Sequence, residues 1–172
     1  MSETPEFIPI AIAVLTVSDS RGAAEDRSGA VLVESIHEAG HTLEDRRLVP
    51  DDRYRIRAAV SQWIADPHVQ AIVTTGGTGV TGRDGTPEAL APLLDKTLEG
   101  FGELFRSLSF AEIGAAALQS RALAGVANGT WVFCLPGSPG ACRTAWNGIL
   151  GPQLDRRTRP CNLAALLPRL KE

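Results

Sequence analysis

Between Gly76 and Gly85 the chain reads GGTGVTGRDG, five glycines in ten positions, directly after the apolar run Val69 to Thr75 and directly before TPEAL. Glycine loses more conformational freedom on folding than any other residue, so this density marks a place where the backbone must take positive φ or come close to another group. In front of a helix, such a loop offers amide hydrogens to phosphate oxygens, and the helix start adds about half a positive charge. Asp84 sits inside the loop, and Asp51, in VPDD, follows another strand-like stretch. Two carboxylates beside an amide-rich loop suit Mg²⁺, which keeps most of its waters and takes one or two carboxylates together with substrate phosphates. Asp51 and Asp84 are therefore the candidate metal ligands and the candidate catalytic residues.

Competing readings of the same residues fail on spacing. Gly77, Gly79 and Gly82 match GxGxxG. A dinucleotide fold, however, needs its third glycine at the helix start and an acid about 20 positions on, at a strand end. The next helix begins only near Pro87, and Asp95, Glu99 and Glu103 fall in turn or helical sequence. No GK[ST] follows the glycines, so a P-loop is excluded too. His37 and His41 are separated by the helix-ending Gly40 and have no third ligand nearby in sequence, which leaves them structural. No GxSxG elbow is present for a serine nucleophile.

The elements that must position these residues follow from periodicity. Residues 9–17, PIAIAVLTV, read as a strand buried on both faces, and Ser28 to Ala39 as a helix stopped by Gly40. A weaker strand, Thr42 to Val49, precedes a helix from Arg53 to Ala65 with Ile56, Val60, Trp63 and Ile64 on one face. Val69 to Thr75 is a third strand. Thr86 then reads as an N-cap with Pro87 at N1. A helix from Phe101 to Gln119, broken near Ser109, leads to a hairpin signalled by Asn128-Gly129 between strands at 122–126 and 131–135. One more helix runs to Leu150, and a short helix spans Asn162 to Leu170. Alternation of this kind predicts an α/β fold of three layers, a mostly parallel sheet with helices on both faces, as one domain ordered over about residues 8–170.

In open parallel sheets ligands bind beyond the carboxyl ends of the strands. The residues at those ends are Ser18-Asp19, Asp51-Asp52, Gly76 to Asp84 and Gly137-Ser138, and the topology predicts that they converge. Candidate substrate contacts are thus Asp19, then Thr75, Gly76, Gly77, Thr78 and Gly79, then Pro136, Gly137, Ser138 and Pro139. Each has a structural alternative: Asp51 as the N-cap of the following helix, Asp84 as a turn residue, Ser138 as an N-cap before Pro139.

Composition bounds the rest. With 172 residues, 44% hydrophobic and 22% charged, the chain is long enough to bury a sizeable core. A net charge of −3 argues against nucleic-acid or membrane-surface binding, so any anion site must be local. Three cysteines, Cys134, Cys142 and Cys161, without CxxC spacing, point to a reduced cytoplasmic protein rather than a disulfide or zinc framework. Neither a signal peptide nor an apolar stretch of membrane-spanning length is visible.

TTGGTGVTGRDGTPEA, with VPDD upstream and LPGSPGA downstream, resembles the MoaB/MogA family of molybdenum cofactor biosynthesis proteins, over nearly the whole chain from SDS to the late PCN. The LPGSPGA run is closer to the MoaB branch. The resemblance implies a three-layer domain that binds molybdopterin at the carboxyl edge of its sheet. Active members adenylylate molybdopterin with Mg²⁺-ATP and pass the product to a downstream protein that inserts molybdate. It maps Asp51 and Asp84 onto the family's two essential aspartates, Gly76 to Gly79 and Gly137 to Pro139 onto its substrate loops, and implies a homo-trimer or homo-hexamer. The alternative it leaves is a non-catalytic molybdopterin-binding carrier or scaffold.

Overall fold

The structure, a computed structural model, describes residues 5–20 and 22–172. The first four residues of the amino-terminal stretch and Arg21, in the loop after the first strand, lie outside the described residues. Among the described residues six strands form one sheet: β1 Ala11–Val17, β2 Thr42–Val49, β3 Ala71–Thr75, β4 Lys96–Thr97, β5 Leu123–Ala127 and β6 Thr130–Leu135, in the order β2-β1-β3-β6-β5-β4. β2, β1, β3 and β6 are parallel neighbours, while β5 and β4 add an antiparallel edge. The helices are α1 Arg27–Glu38, α2 Arg53–Ala65, α3 Thr86–Leu90, α4 Glu99–Ile113, α5 Pro139–Ala145 and the single turn α6 Gly151–Gln153.

The two-residue alternation along each strand divides the core between the faces of the sheet. Ile12 and Val14 of β1, Val73 of β3 and Phe133 of β6 pack on one side with Leu32 and Ile36 of α1, Phe101 and Phe105 of α4, and Cys142 of α5. Ala13 and Leu15, Ile72 and Val132 face the other side, against Ile56, Val60 and Trp63 of α2 and Leu90 of α3. Each fully buried Leu, Ile or Phe contributes on the order of 2 kcal/mol, so both faces are anchored. The predicted three layers and mostly parallel sheet are thus observed.

The Asn128-Gly129 turn is also as expected: both residues have positive φ, 48° and 78°, as a two-residue turn between twisted antiparallel strands requires. Other boundaries differ for local reasons. α1 begins one residue earlier than the expected Ser28, because Asp26 caps it, its carboxylate accepting the Gly29 N–H at 2.8 Å and the Thr16 hydroxyl at 2.7 Å. α4 does not break at Ser109, which is buried within it. It ends at Gly114, whose φ of 61° stops the helix, and a 3₁₀ segment continues to Gln119. The turn after α5 is a π-helical stretch, Trp146–Leu150, and the tail helix is a shorter 3₁₀ segment, Ala164–Arg169.

β1 connects to β2 on one side and lies against β3 on the other, so the sheet's order reverses between β1 and β3. That is where a crevice opens in a sheet of this type. Asp19 and Gly76 follow those two strands.

Candidate functional site

The four predicted strand-end loops meet at one edge. Asp51 N–H donates to Asp19 Oδ1 at 2.9 Å, and Ser18 N–H to Val49 O at 3.0 Å, which ties the ends of β1 and β2. Gly76 N–H donates to Leu135 O at 3.0 Å, and a β-carbon on Gly137 would stand 3.0 Å from the Gly76 α-carbon, which ties the ends of β3 and β6. Gly76 itself has φ 101°, and its α-carbon faces the Val17 carbonyl so closely that no side chain could be added there.

Two more of the loop glycines are explained by the two aspartates. A β-carbon on Gly77, which has φ 66°, would lie 2.6 Å from Asp51 Oδ2 and would also run into Thr86 Oγ1. A β-carbon on Gly79 would lie 2.5 Å from Asp84 Oδ2. Each carboxylate therefore rests directly over one glycine of the loop, Asp51 over Gly77 and Asp84 over Gly79. Gly82, by contrast, has open space around it.

Asp51 is not the N-cap of α2. Asp52 takes that role, with Oδ1 accepting the Tyr54 and Arg55 N–H groups at 3.0 and 2.9 Å. Asp51 instead reaches the loop, where Oδ1 accepts the Gly85 N–H at 3.1 Å. That contact places Gly85 at the N-cap of α3, so the expectation of a Thr86 cap is corrected: Thr86 is the first helical residue, its N–H tied to Gly77 O at 3.0 Å. Burial raises the Asp51 pKa above the usual carboxylate value, outweighing the Gly85 hydrogen bond, and the charges of Asp19 and Asp84 push the same way.

Asp84 is held as a turn residue and remains presented at the edge. Thr81 donates both its hydroxyl, at 2.6 Å, and its N–H, at 2.9 Å, to Asp84 Oδ2, and these bonds lower the Asp84 pKa. Asp19 forms a two-pronged pair with Arg83, at 2.9 and 2.8 Å, which lowers its pKa as well. Its carboxylate is thereby committed both to Arg83 and to the backbone of Asp51.

The other candidates divide between backbone and side-chain roles. Thr75 is fully buried and donates its hydroxyl to Pro136 O at 2.8 Å, while Thr78 is nearly so. Ser138 caps α5, its Oγ accepting the Ala141 N–H at 3.0 Å, and Pro139 opens that helix. Thr75 thus spends its hydroxyl hydrogen inside the protein, whereas exposed Ser138 uses only an oxygen lone pair as a cap.

Sequence reasoning missed Arg121. From the loop before β5 it donates through Nε to Gly79 O at 2.8 Å and Thr78 O at 3.2 Å, through Nη2 to Asp84 O at 2.9 Å, and it pairs with the Glu88 carboxylate of α3. One guanidinium thus ties both ends of the glycine loop to the helix that follows it. Nothing in the string Gln119-Ser120-Arg121-Ala122 distinguishes this arginine from a solvated one.

Mg²⁺ fits the donor set in kind. Among the described residues no group of three or more His, Cys, Asp or Glu side chains gathers as a metal site. A pair of carboxylates beside an open amide loop is instead what an ion shared with substrate phosphates requires. Thr86 Oγ1, fully buried and without a hydrogen-bond partner, lies on the same side of Gly77 as Asp51 Oδ2. An orphaned buried hydroxyl beside a desolvated carboxylate is an arrangement that a bound cation can relieve.

Known proteins resemble this chain in sequence and fold. The family described as "Probable molybdopterin binding domain" matches residues 13–156. Molybdenum cofactor biosynthesis protein B of Escherichia coli strain K12 is 60% identical over 157 residues, covering 91% of this chain and 92% of its own. A crystal structure of a molybdenum cofactor biosynthesis protein B superposes with a TM-score of 0.83 at 42% identity, covering 86% of this chain and 92% of that one. The tungsten cofactor synthesizing protein MoaB of Pyrococcus furiosus superposes with a TM-score of 0.79 at 35% identity, covering 95% and 98%. With nearly all of the α/β core and the loop-bearing edge inside residues 13–156, this chain belongs to the MoaB/MogA family of molybdenum cofactor biosynthesis proteins, in its MoaB branch.

Proposed function

We propose that this chain adenylylates molybdopterin with Mg²⁺ and ATP, before molybdate insertion by a downstream partner. The observation that carries the reading is the seating of Asp51 over Gly77 and of Asp84 over Gly79 at the strand-end loop. In the reaction, an oxygen of the terminal molybdopterin phosphate attacks the α-phosphorus of ATP. A new P–O bond forms as the α–β bridging P–O bond breaks, and the electron pair leaves on pyrophosphate. Such a transfer between anions asks for little covalent chemistry from the protein, so positioning and charge neutralisation dominate. Mg²⁺, when bound, supplies that neutralisation. Asp51 is suited to hold it because burial and two neighbouring carboxylates leave its charge poorly compensated. Asp84 is suited to orient the triphosphate because Thr81 and Arg121 fix it from both ends. The amides of Gly76 to Gly79 would face one phosphate, and the loop from Pro136 to Pro139 a second anionic group.

The same proposal reads residues 1–172 as one molybdopterin-binding domain, its ordered core over about 8–170, working in the cytoplasm as a homo-trimer or homo-hexamer. Among the described residues no helix is long and apolar enough to cross a membrane. A second reading, a molybdopterin-binding carrier without turnover, is favoured by one observation: Asp19 and Asp84 already have internal partners in Arg83 and Thr81. Incubation of the protein with molybdopterin, ATP and Mg²⁺ separates the two. Adenylylated molybdopterin and pyrophosphate are the expected products, and molybdopterin binding without them would leave the carrier alone standing.

A further inference from the structure

Thr86 carries a hydroxyl with no internal task. It is fully buried, yet its Oγ1 has no hydrogen-bond partner, although buried hydroxyls are nearly always paired. The usual outlets are closed by its position. A threonine within a helix returns its hydroxyl to the carbonyl four residues back, but Thr86 is the first residue of α3, so that carbonyl belongs to Gly82, outside the helix. A capping threonine would accept from the first turn, but Gly85 holds the cap. The Thr86 N–H is already used by Gly77 O. What the hydroxyl does face is the Gly77 α-carbon, and on that same side stands Asp51 Oδ2, while Asp51 Oδ1 is occupied by the Gly85 N–H.

We infer that Thr86 is a positioning residue for Asp51: when a cation and its phosphate partner occupy the loop, the Thr86 hydroxyl donates its hydrogen to the Asp51 carboxylate and fixes its rotation. The terminal torsion of an aspartate is soft, so the Gly85 N–H alone leaves the carboxyl plane free to turn. A second donor, on Oδ2, would set both oxygens. Gly77 is what permits the approach, because any side chain there would separate the two groups. The free chain holds an unpaired hydroxyl and the liganded chain a paired one, so part of the binding free energy comes from relieving that burial.

The inference rests on the metal-and-phosphate reading above, and its test separates the two. Mg²⁺-ATP binding to the full chain is measured by calorimetry, beside thermal melting of the free chain, for the native protein, Thr86→Val and Thr86→Ser. Valine keeps the shape and removes the hydroxyl. It should melt at or above the native temperature yet bind Mg²⁺-ATP at least tenfold more weakly, while serine binds within about threefold of native. Should valine lower the melting temperature, Thr86→Ser is compared with Thr86→Ala, which both lack the methyl and differ in the hydroxyl. Serine must then bind at least tenfold more tightly. Equal binding within either pair overturns the role of Thr86 and leaves the proposed function in place. Absence of Mg²⁺-ATP binding by the native protein overturns both.

Discussion

The Asp84 carboxylate lies 2.5 Å from the point where a β-carbon of Gly79 would stand, and Gly79 itself has no positive φ. The glycine is there for room rather than for backbone freedom. Gly79→Ala should therefore displace Asp84 at little conformational cost, lowering adenylylation at least tenfold while the melting temperature falls by no more than about 4 °C, the equivalent of roughly 1 kcal/mol in a chain of this size. Gly82→Ala is the control. With nothing within 4 Å of its β-carbon, it should keep full activity and gain about 0.5 kcal/mol from reduced unfolded-state entropy. Equal loss of activity in both variants would show that loop flexibility, not space for the carboxylate, is what the glycines supply.

Asp51→Asn tests the electrostatic side of the site. A carboxylate with a raised folded-state pKa binds more protons folded than unfolded between its ordinary value, about 3.9, and the raised one. Its contribution to stability is therefore greatest below that window and declines as pH climbs through it. At pH 7 the ionised Asp51 costs stability, and asparagine, whose carbonyl can still accept the Gly85 N–H, should raise the melting temperature by about 2 °C while abolishing Mg²⁺-dependent turnover. A lower melting temperature for the variant would contradict the burial of charge at this position.

How far these relationships were legible in the sequence depends on their range. The strands, the hairpin at Asn128-Gly129 and the convergence of four loops could be read, because hydrophobic period and turn chemistry are local and the crossover rule converts them into one edge. The partner of each glycine could not. That Gly77 admits Asp51 and Gly79 admits Asp84 is a matter of close approach between segments, and composition only says that something needs room. The caps moved by one residue for the same reason: Asp51, drawn to Gly85 across the edge, leaves Asp52 to cap α2 and Thr86 inside α3. The two-residue β4 and the reach of Arg121 left no periodic trace at all.

Arg121 holds the loop through the carbonyls of Thr78, Gly79 and Asp84 and pairs with Glu88 of α3, so Arg121→Gln should loosen it. Loss of the guanidinium leaves the carbonyls of Thr78, Gly79 and Asp84 without their donor, at a cost of about 1–3 kcal/mol. Arg83, exposed in the middle of the loop, reports the effect directly. Tryptic cleavage after Arg83, followed by mass spectrometry, should accelerate several-fold in the variant, and an unchanged rate would remove Arg121 from its clamping role.

The cysteines should separate cleanly in a thiol-labelling experiment. Burial pushes the Cys134 thiol up to about 12 and the Cys142 thiol up to about 11, while Cys161 is exposed. Because the thiolate is the reactive form, the native protein should take one maleimide per chain, at Cys161, and three after unfolding. Fast modification of Cys142, which sits beside the Thr75 hydroxyl at 3.3 Å, would mean that the packing between β3 and α5 opens in solution.

His41 gives the fold a dependence on pH that is independent of the site. Its Nδ1 accepts the Ile10 N–H at 3.1 Å, and its ring packs against Phe7 and Trp146, so protonation would destroy the hydrogen bond inside an apolar setting. Burial lowers its pKa, and the opposing charge of Asp155 only partly offsets this. Below an unfolded-state value of about 6.5 the unfolded chain binds the proton more readily than the folded one. Stability should thus be constant above pH 7 and fall as pH drops below about 6.5, by at most about 1.4 kcal/mol per pH unit. Urea midpoints between pH 5.5 and 7.5 measure this slope. His41→Asn, which retains an acceptor for Ile10 N–H but does not ionise, should be less stable at pH 7.5 through lost packing and show a flatter slope over the same interval. An identical slope in both proteins would assign the dependence to another group.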